Sequence, residues 1–174
     1  MANASPEVHY TAPILVLGLG NPLAGDDGLG PVLVNELSKQ YRYTGGFIEF
    51  VNGGTRGLGL LNSMVGRQAV VVLDAVASGG RPGTVTVIKG SDVVRYATTH
   101  PTSTLEGNVG ELLATAAFLG DLPDHCYIVG VEPADRRQGS GLSKEVERSV
   151  QPALLKAQDV VDELLVELSE PVHA

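Results

Sequence analysis

The sequence predicts an α/β fold: a three-layer α/β/α sandwich around a mostly parallel sheet of about five strands. Three observations carry this reading. Short strand-like apolar runs alternate with helical apolar patterns along the chain. Ala69 to Leu73 is an unbroken, mostly β-branched run, as expected of a strand covered on both faces. Ile14 to Gly30 reads as a buried strand, a tight glycine-rich loop and the start of a helix.

The elements follow in order. Residues 1–12 lack periodicity and are expected to form a flexible N-terminal extension; residues 13–169 form a single α/β domain, and residues 170–174 a C-terminal tail. After the first strand, Leu29, Val32, Leu33 and Leu37 share a helical face up to about Gln40, with Pro31 tolerated in the first turn. Phe47 to Val51 is a second strand, closed by the turn Asn52-Gly53-Gly54-Thr55, and Leu58 to Met64 is a short helix. The third strand, Ala69 to Leu73, ends at Asp74. Thr84 to Ile88 alternates as a half-exposed strand does. Ser91 to Gly107 is polar and reads as irregular. Val109 to Leu119 is helical, with Asn108 and Glu111 at capping-box spacing. Cys126 to Val131 is the last strand. The final helix carries Val146, Val150, Leu154, Ala157, Val161, Leu164, Leu165 and Leu168 on one side, and Pro152 is expected to break or kink it.

Composition excludes several function classes. A net charge of −8 and no Lys/Arg cluster beyond the pair Arg136-Arg137 argue against nucleic acid as a partner. The start of the chain lacks the pattern of a secretory signal, and no apolar run approaches the roughly 18 residues of a membrane span, so a cytoplasmic protein without a membrane partner is expected. The single cysteine, Cys126, excludes an intrachain disulfide and reads as a buried structural thiol.

Gly18-Leu19-Gly20 first suggests a dinucleotide loop. Leu23 stands where the third glycine belongs, and Asp26-Asp27 puts negative charge where a pyrophosphate would lie, so that reading fails. The acid pair has a bland explanation, the favourable interaction of acids with a helix N-terminus. Asp74 likewise could simply accept backbone N–H bonds at a strand end. Together they suggest more: Asp27 and Asp74 both follow buried parallel strands, and if those strands are neighbours, roughly 5 Å apart, the carboxylates share one crevice and one cation. His100 would complete a set of two carboxylates and one imidazole suited to a first-row divalent metal. His9, His125 and His173 are set aside as tail or strand-start residues.

These residues resemble the hydrogenase maturation endopeptidases, the family that processes the large subunit of nickel-iron hydrogenases. The likeness spans about Ile14 to Leu168. It rests on Gly18-x-Gly20-Asn21-Pro22-Leu23-x-x-Asp26-Asp27-Gly28-x-Gly30, Asn52-Gly53-Gly54-Thr55-x-Gly57, Asp74-Ala75 and Gly130-Val131-x-Pro133. By this resemblance the metal ligands are Asp27, Asp74 and His100. Asp27 stands where the family often has Glu, Asn52 where it frequently has Asp, and Pro101-Thr102-Ser103 where apolar residues usually follow the histidine. The resemblance implies a hydrolase that removes the C-terminal tail of a nickel-loaded large-subunit precursor. The nickel is supplied by that substrate, another divalent cation being the alternative. It names no nucleophile or base; Asp27 and Asp74 are the catalytic candidates, whether in an aspartyl-type or a metal-dependent peptidase. Two other functions compete. Gly-Leu-Gly-Asn-Pro also opens peptidyl-tRNA hydrolases, whose catalytic His-Asn pair is absent here. A maturation chaperone that binds through nickel without cutting would use the same ligands.

Overall fold

The computed structural model describes residues 11–99, 109–134, 139 and 141–169. It contains a five-stranded sheet in the order β2-β1-β3-β5-β4, formed by β1 (Ile14–Leu19), β2 (Ile48–Gly54), β3 (Ala69–Ala75), β4 (Val85–Lys89) and β5 (His125–Val131). All neighbouring strands run parallel except β4, which lies antiparallel to β5 at one edge. The expected three-layer sandwich with a mostly parallel sheet is therefore present.

β1 and β3 are wholly buried because helices cover both faces. On one face α1 (Leu29–Ser38) and the long α5 (Lys144–Ser169) pack Leu33, Leu37, Ala157 and Val161 against Ile14, Val16, Val71 and Val129. On the other, α2 (Leu61–Met64), α3 (Ser91–Thr99) and α4 (Val109–Leu119) pack Met64, Val93, Leu112 and Leu113 against Leu15, Leu17, Val72 and Ile128. Among the described residues no helix is long and apolar enough to cross a membrane.

Three expectations need correction. The stretch after β4 is not irregular throughout, since Ser91–Thr99 forms α3. Val93 and Ala97 are buried and Tyr96 packs with them at helical spacing, but the Ser, Asp, Arg and Thr residues around them make the stretch read as polar. The second strand runs on through Asn52 and Gly53 to Gly54, where a register shift against β1 absorbs the turn-like residues. Of the break or kink expected at Pro152, the break does not occur, since the last helix continues from Lys144 to Ser169. Pro152 and Arg148, whose carbonyl loses its usual donor, are both exposed. That carbonyl lies where solvent can reach it, while buried residues on either side, from Val146 to Leu164, hold the helix down. The capping-box residue Asn108 and the loop residue Glu106 lie outside the described residues.

The strand order creates the crevice. β1 leads through α1 to β2 on one side, while the next strand, β3, pairs with β1 on the other, Gly18 lying opposite Leu73. Parallel sheets bind ligands at such a switch point, beyond the carboxyl ends of the strands. Helix α1 sits unusually close to it. A methyl group at Gly30 would fall inside the carbonyl oxygens of Leu19 and Leu73, so the helix start rests backbone to backbone on both strand ends.

Helix propensity alone would favour Gly30→Ala by about 1 kcal/mol. The clash with two strand carbonyls outweighs it, and overpacking of this kind typically costs about 3 kcal/mol. We expect urea unfolding of Gly30→Ala to show a lower midpoint with an unchanged m-value.

Candidate active site

The loop between β1 and α1 is set by its own hydrogen bonds. Asn21 accepts the Leu23 N–H on its side chain at 2.9 Å and the Ala24 N–H on its carbonyl at 3.0 Å, forming a compact turn. Leu23 and Gly25 then bridge Gly139, through Gly139 N to Leu23 O and Gly25 N to Gly139 O, each at 3.0 Å. Gly25–Gly28 forms one 3₁₀ turn leading into α1.

The structure gives the two adjacent acids different tasks. Asp26 is fully buried and does not serve its own helix. Its carboxylate accepts Ala134 N at 2.8 Å, Ser143 N at 2.6 Å and Ser143 Oγ at 2.9 Å. Ser143 is the residue before α5, and its hydroxyl also accepts Val146 N at 3.3 Å. Asp26 thus ties the first loop to the positive end of the last helix. Asp27 turns the other way. It is half-buried, and its Oδ2 accepts Asn21 N at 2.9 Å across the mouth of the loop.

Asp74 continues the alternation of Val70 and Val72, which places it on the α3 and α4 side of the sheet. It is 7% exposed, and its Oδ1 accepts Ala75 N at 2.7 Å. Gly20 joins it to the Asp27 loop. With φ at +124°, Gly20 adopts a backbone reserved for glycine, and a Cβ there would collide with the Asp27 carbonyl while lying 3.6 Å from Asp74 Oδ1. The Asp27 backbone and the Asp74 carboxylate thus both border Gly20, and β1 and β3 are neighbours, the condition that a shared crevice requires.

His100 lies outside the described residues. The helices on either side of it in sequence, α3 and α4, both pack on the sheet face that carries Asp74. Among the described residues no three His, Cys, Asp or Glu side chains form a metal-binding group. Cys126 is buried in the core, and burial pushes its thiol up to about 12, so it is a structural residue rather than a nucleophile.

One residue escapes notice in the sequence. Glu132, 8% exposed and just beyond β5, accepts Ser78 N and Ser78 Oγ at 2.7 Å each and Gly80 N at 3.2 Å, all on Oε2. It thereby fastens the loop that follows Asp74. Burial opposes ionisation of Glu132, but the bonds from Ser78, Gly80 and Gly79 outweigh it and hold the carboxyl below the ordinary glutamate value. Its only sequence signal is its place inside Gly130-Val131-x-Pro133.

Comparison with known proteins now bears on this arrangement. The family model described as "Hydrogenase maturation protease" matches residues 31–160, beginning just after the Gly18–Gly30 motif and therefore without relying on it. The chain is 35% identical over 142 residues to the hydrogenase expression/formation protein HupM of Azotobacter chroococcum, covering 81% of this chain and 68% of that protein. It is 32% identical over 142 residues to the hydrogenase 2 maturation protease of Escherichia coli, covering 81% of this chain and 85% of that one. The solved structure of the hydrogenase maturating endopeptidase HybD from E. coli superposes with a TM-score of 0.74 at 30% identity, covering 86% of this chain and 92% of that chain.

Two outcomes follow from the unequal acids. Asp26→Ala removes a fully buried carboxylate and the three bonds it accepts from Ala134 and Ser143 and is expected to cost about 3 kcal/mol, whereas Asp27→Ala should cost less than about 1 kcal/mol; chemical denaturation of the pair measures both. For Glu132 the folded pKa lies below the unfolded one. Its stabilisation is therefore complete above the ordinary glutamate value and is lost as pH falls through the lowered one. The stability gap between the wild type and Glu132→Gln should narrow between about pH 6 and about pH 3 in unfolding titrations.

Proposed function

Because the chain belongs to the hydrogenase maturation protease family, whose members are hydrolases, we propose that it is the endopeptidase that removes the C-terminal tail of a nickel-loaded large-subunit precursor of a nickel-iron hydrogenase. In this reading Asp27, Asp74 and His100 recognise the nickel already inserted in the substrate. The observation that supports it is that Gly20, at the switch point between β1 and β3, borders both the Asp27 backbone and the Asp74 carboxylate.

The chemistry of that arrangement favours a cation. Carboxylates gathered at one strand-end crevice repel each other unless a proton or a metal intervenes. Two carboxylates with an imidazole suit a first-row divalent ion. Nickel held by substrate cysteines would bring the precursor's metal centre to the crevice, leaving the adjoining tail to run along the carboxyl edge of the sheet. Asp26 and Glu132 do not enter the chemistry; they fix the loops that carry Asp27 and follow Asp74. Membership in this family also sets aside the peptidyl-tRNA hydrolase alternative.

The test is mass spectrometry of a nickel-loaded precursor incubated with the protein, beside a nickel-free control. Tail loss in the loaded sample alone is the expected result. Asp27→Ala and Asp74→Ala should remain folded by circular dichroism and lose cleavage by at least about a hundredfold, the scale of losing a ligand or its support at a metal site. Normal cleavage by either variant would refute the assignment, and stable capture of an uncut precursor by the wild type would favour the chaperone alternative.

A further inference from the structure

Arg56 lies just beyond β2, on the carboxyl edge of the sheet, and is exposed. Its guanidinium is nevertheless fixed. Nε donates to Gly53 O at 3.2 Å and Nη2 to Asn52 O at 2.8 Å, so the side-on edge of the fork is occupied by backbone carbonyls. Among the described residues no group occupies the end-on edge, formed by one N–H of Nη1 and one of Nη2, which has the spacing of a carboxylate.

The chain has 20 acids and 12 Lys or Arg residues. Lys39, Arg67, Arg95 and Lys156 are each paired with a carboxylate, of Glu36, Glu49, Asp92 and Asp159 respectively. Among the described residues Arg56 shares the lack of a carboxylate partner with Arg42, Arg81, Lys89, Lys144 and Arg148; its backbone anchor sets it apart from them. Its anchor, Asn52 and Gly53, adjoins the candidate site, because the next residue's Gly54 O accepts Gly20 N at 3.0 Å, and Gly20 borders the Asp27 backbone and the Asp74 carboxylate. Leu58, two residues further on, is 43% exposed and offers apolar surface beside the cation.

We propose that the end-on edge of Arg56 is a carboxylate-binding subsite for the tail of the protein substrate, on the β2 side of the crevice. The proposal rests on the proteolytic reading above. Two strand spacings separate β2 from β3, about 10 Å, which an extended peptide spans in about three residues. The bound carboxylate therefore belongs to the tail a few residues from the nickel-held segment, and it is either an acidic side chain or the chain-terminal carboxylate. Because both backbone carbonyls pre-set the guanidinium, binding loses little side-chain entropy, which lifts this interaction above an ordinary surface pair.

The experiment measures cleavage of the nickel-loaded precursor by the wild type, Arg56→Gln, Arg56→Lys and Lys156→Gln as a distant control for charge. Arg56→Gln should raise KM about tenfold with kcat within about twofold, the scale of removing one charge-assisted hydrogen bond from binding. Arg56→Lys should recover only part, since an ammonium makes no fork. Lys156→Gln should behave as the wild type. Precursor with its tail acids changed to Asn and Gln, and semisynthetic precursor ending in an amide, identify the source: the substrate that raises the wild-type KM and closes the gap to Arg56→Gln carries the carboxylate. An unchanged KM in Arg56→Gln, or a gap that neither substrate closes, overturns the subsite while leaving the protease intact. Failure of the wild type to cut the loaded precursor overturns both. If Arg56→Gln unfolds in a thermal melt, the wild type with the two altered substrates decides alone: a KM raised by neither refutes the subsite.

Discussion

The close approach of α1 to the ends of β1 and β3 is the constraint on which the site depends. With no side chain at Gly30, the helix start lies against the carbonyls of Leu19 and Leu73, and the connection from β1 shrinks to one Asn-centred turn and one 3₁₀ turn. A longer connection could reach outward to solvent. This one has no slack, so its two acids are delivered to fixed places, Asp26 inward to the start of α5 and Asp27 across the mouth of the loop to Asn21 N.

Precision at the mouth comes from groups outside it. Asp26 anchors one wall through Ser143 and Ala134, and Glu132 anchors the other through Ser78 and Gly80. Both are buried carboxylates satisfied by several N–H and O–H donors, the condition under which burial of charge is tolerable. Each fastens a loop to a segment distant in sequence. The architecture therefore separates carboxylates that hold the frame from carboxylates that face the crevice.

Much of this is legible in the sequence because buried parallel strands leave a strong local signal. The apolar runs of β1, β3 and β5 need no tertiary information, whereas the adjacency of β1 and β3, on which a shared crevice depends, enters the sequence reading only as a condition and is supplied by the sheet pairing. What stays hidden depends on long-range partners. Nothing local distinguishes Asp26 from Asp27; only Ser143, on the far side of the chain, does so. Glu132 looks like a spacer between Val131 and Pro133 because its partners lie on the loop after β3. Helix α3 escapes detection because its stripe of Val93, Tyr96 and Ala97 is set among polar residues, and the helix does not end at Pro152 because local propensity is opposed by the packing of a long amphipathic helix.

The Asp26 bonds span 108 residues to Ala134 and 117 to Ser143, which gives them a consequence in time. Loop-closure entropy makes contacts of such separation slow to form relative to local turns and helices. During synthesis the motif loop leaves the ribosome early, yet its clamp cannot close until the start of α5 has emerged. A truncated or half-made chain therefore carries both crevice acids without the anchor that sets one of them, and the finished C-terminal helix acts as the timer for the site at the opposite end of the sequence.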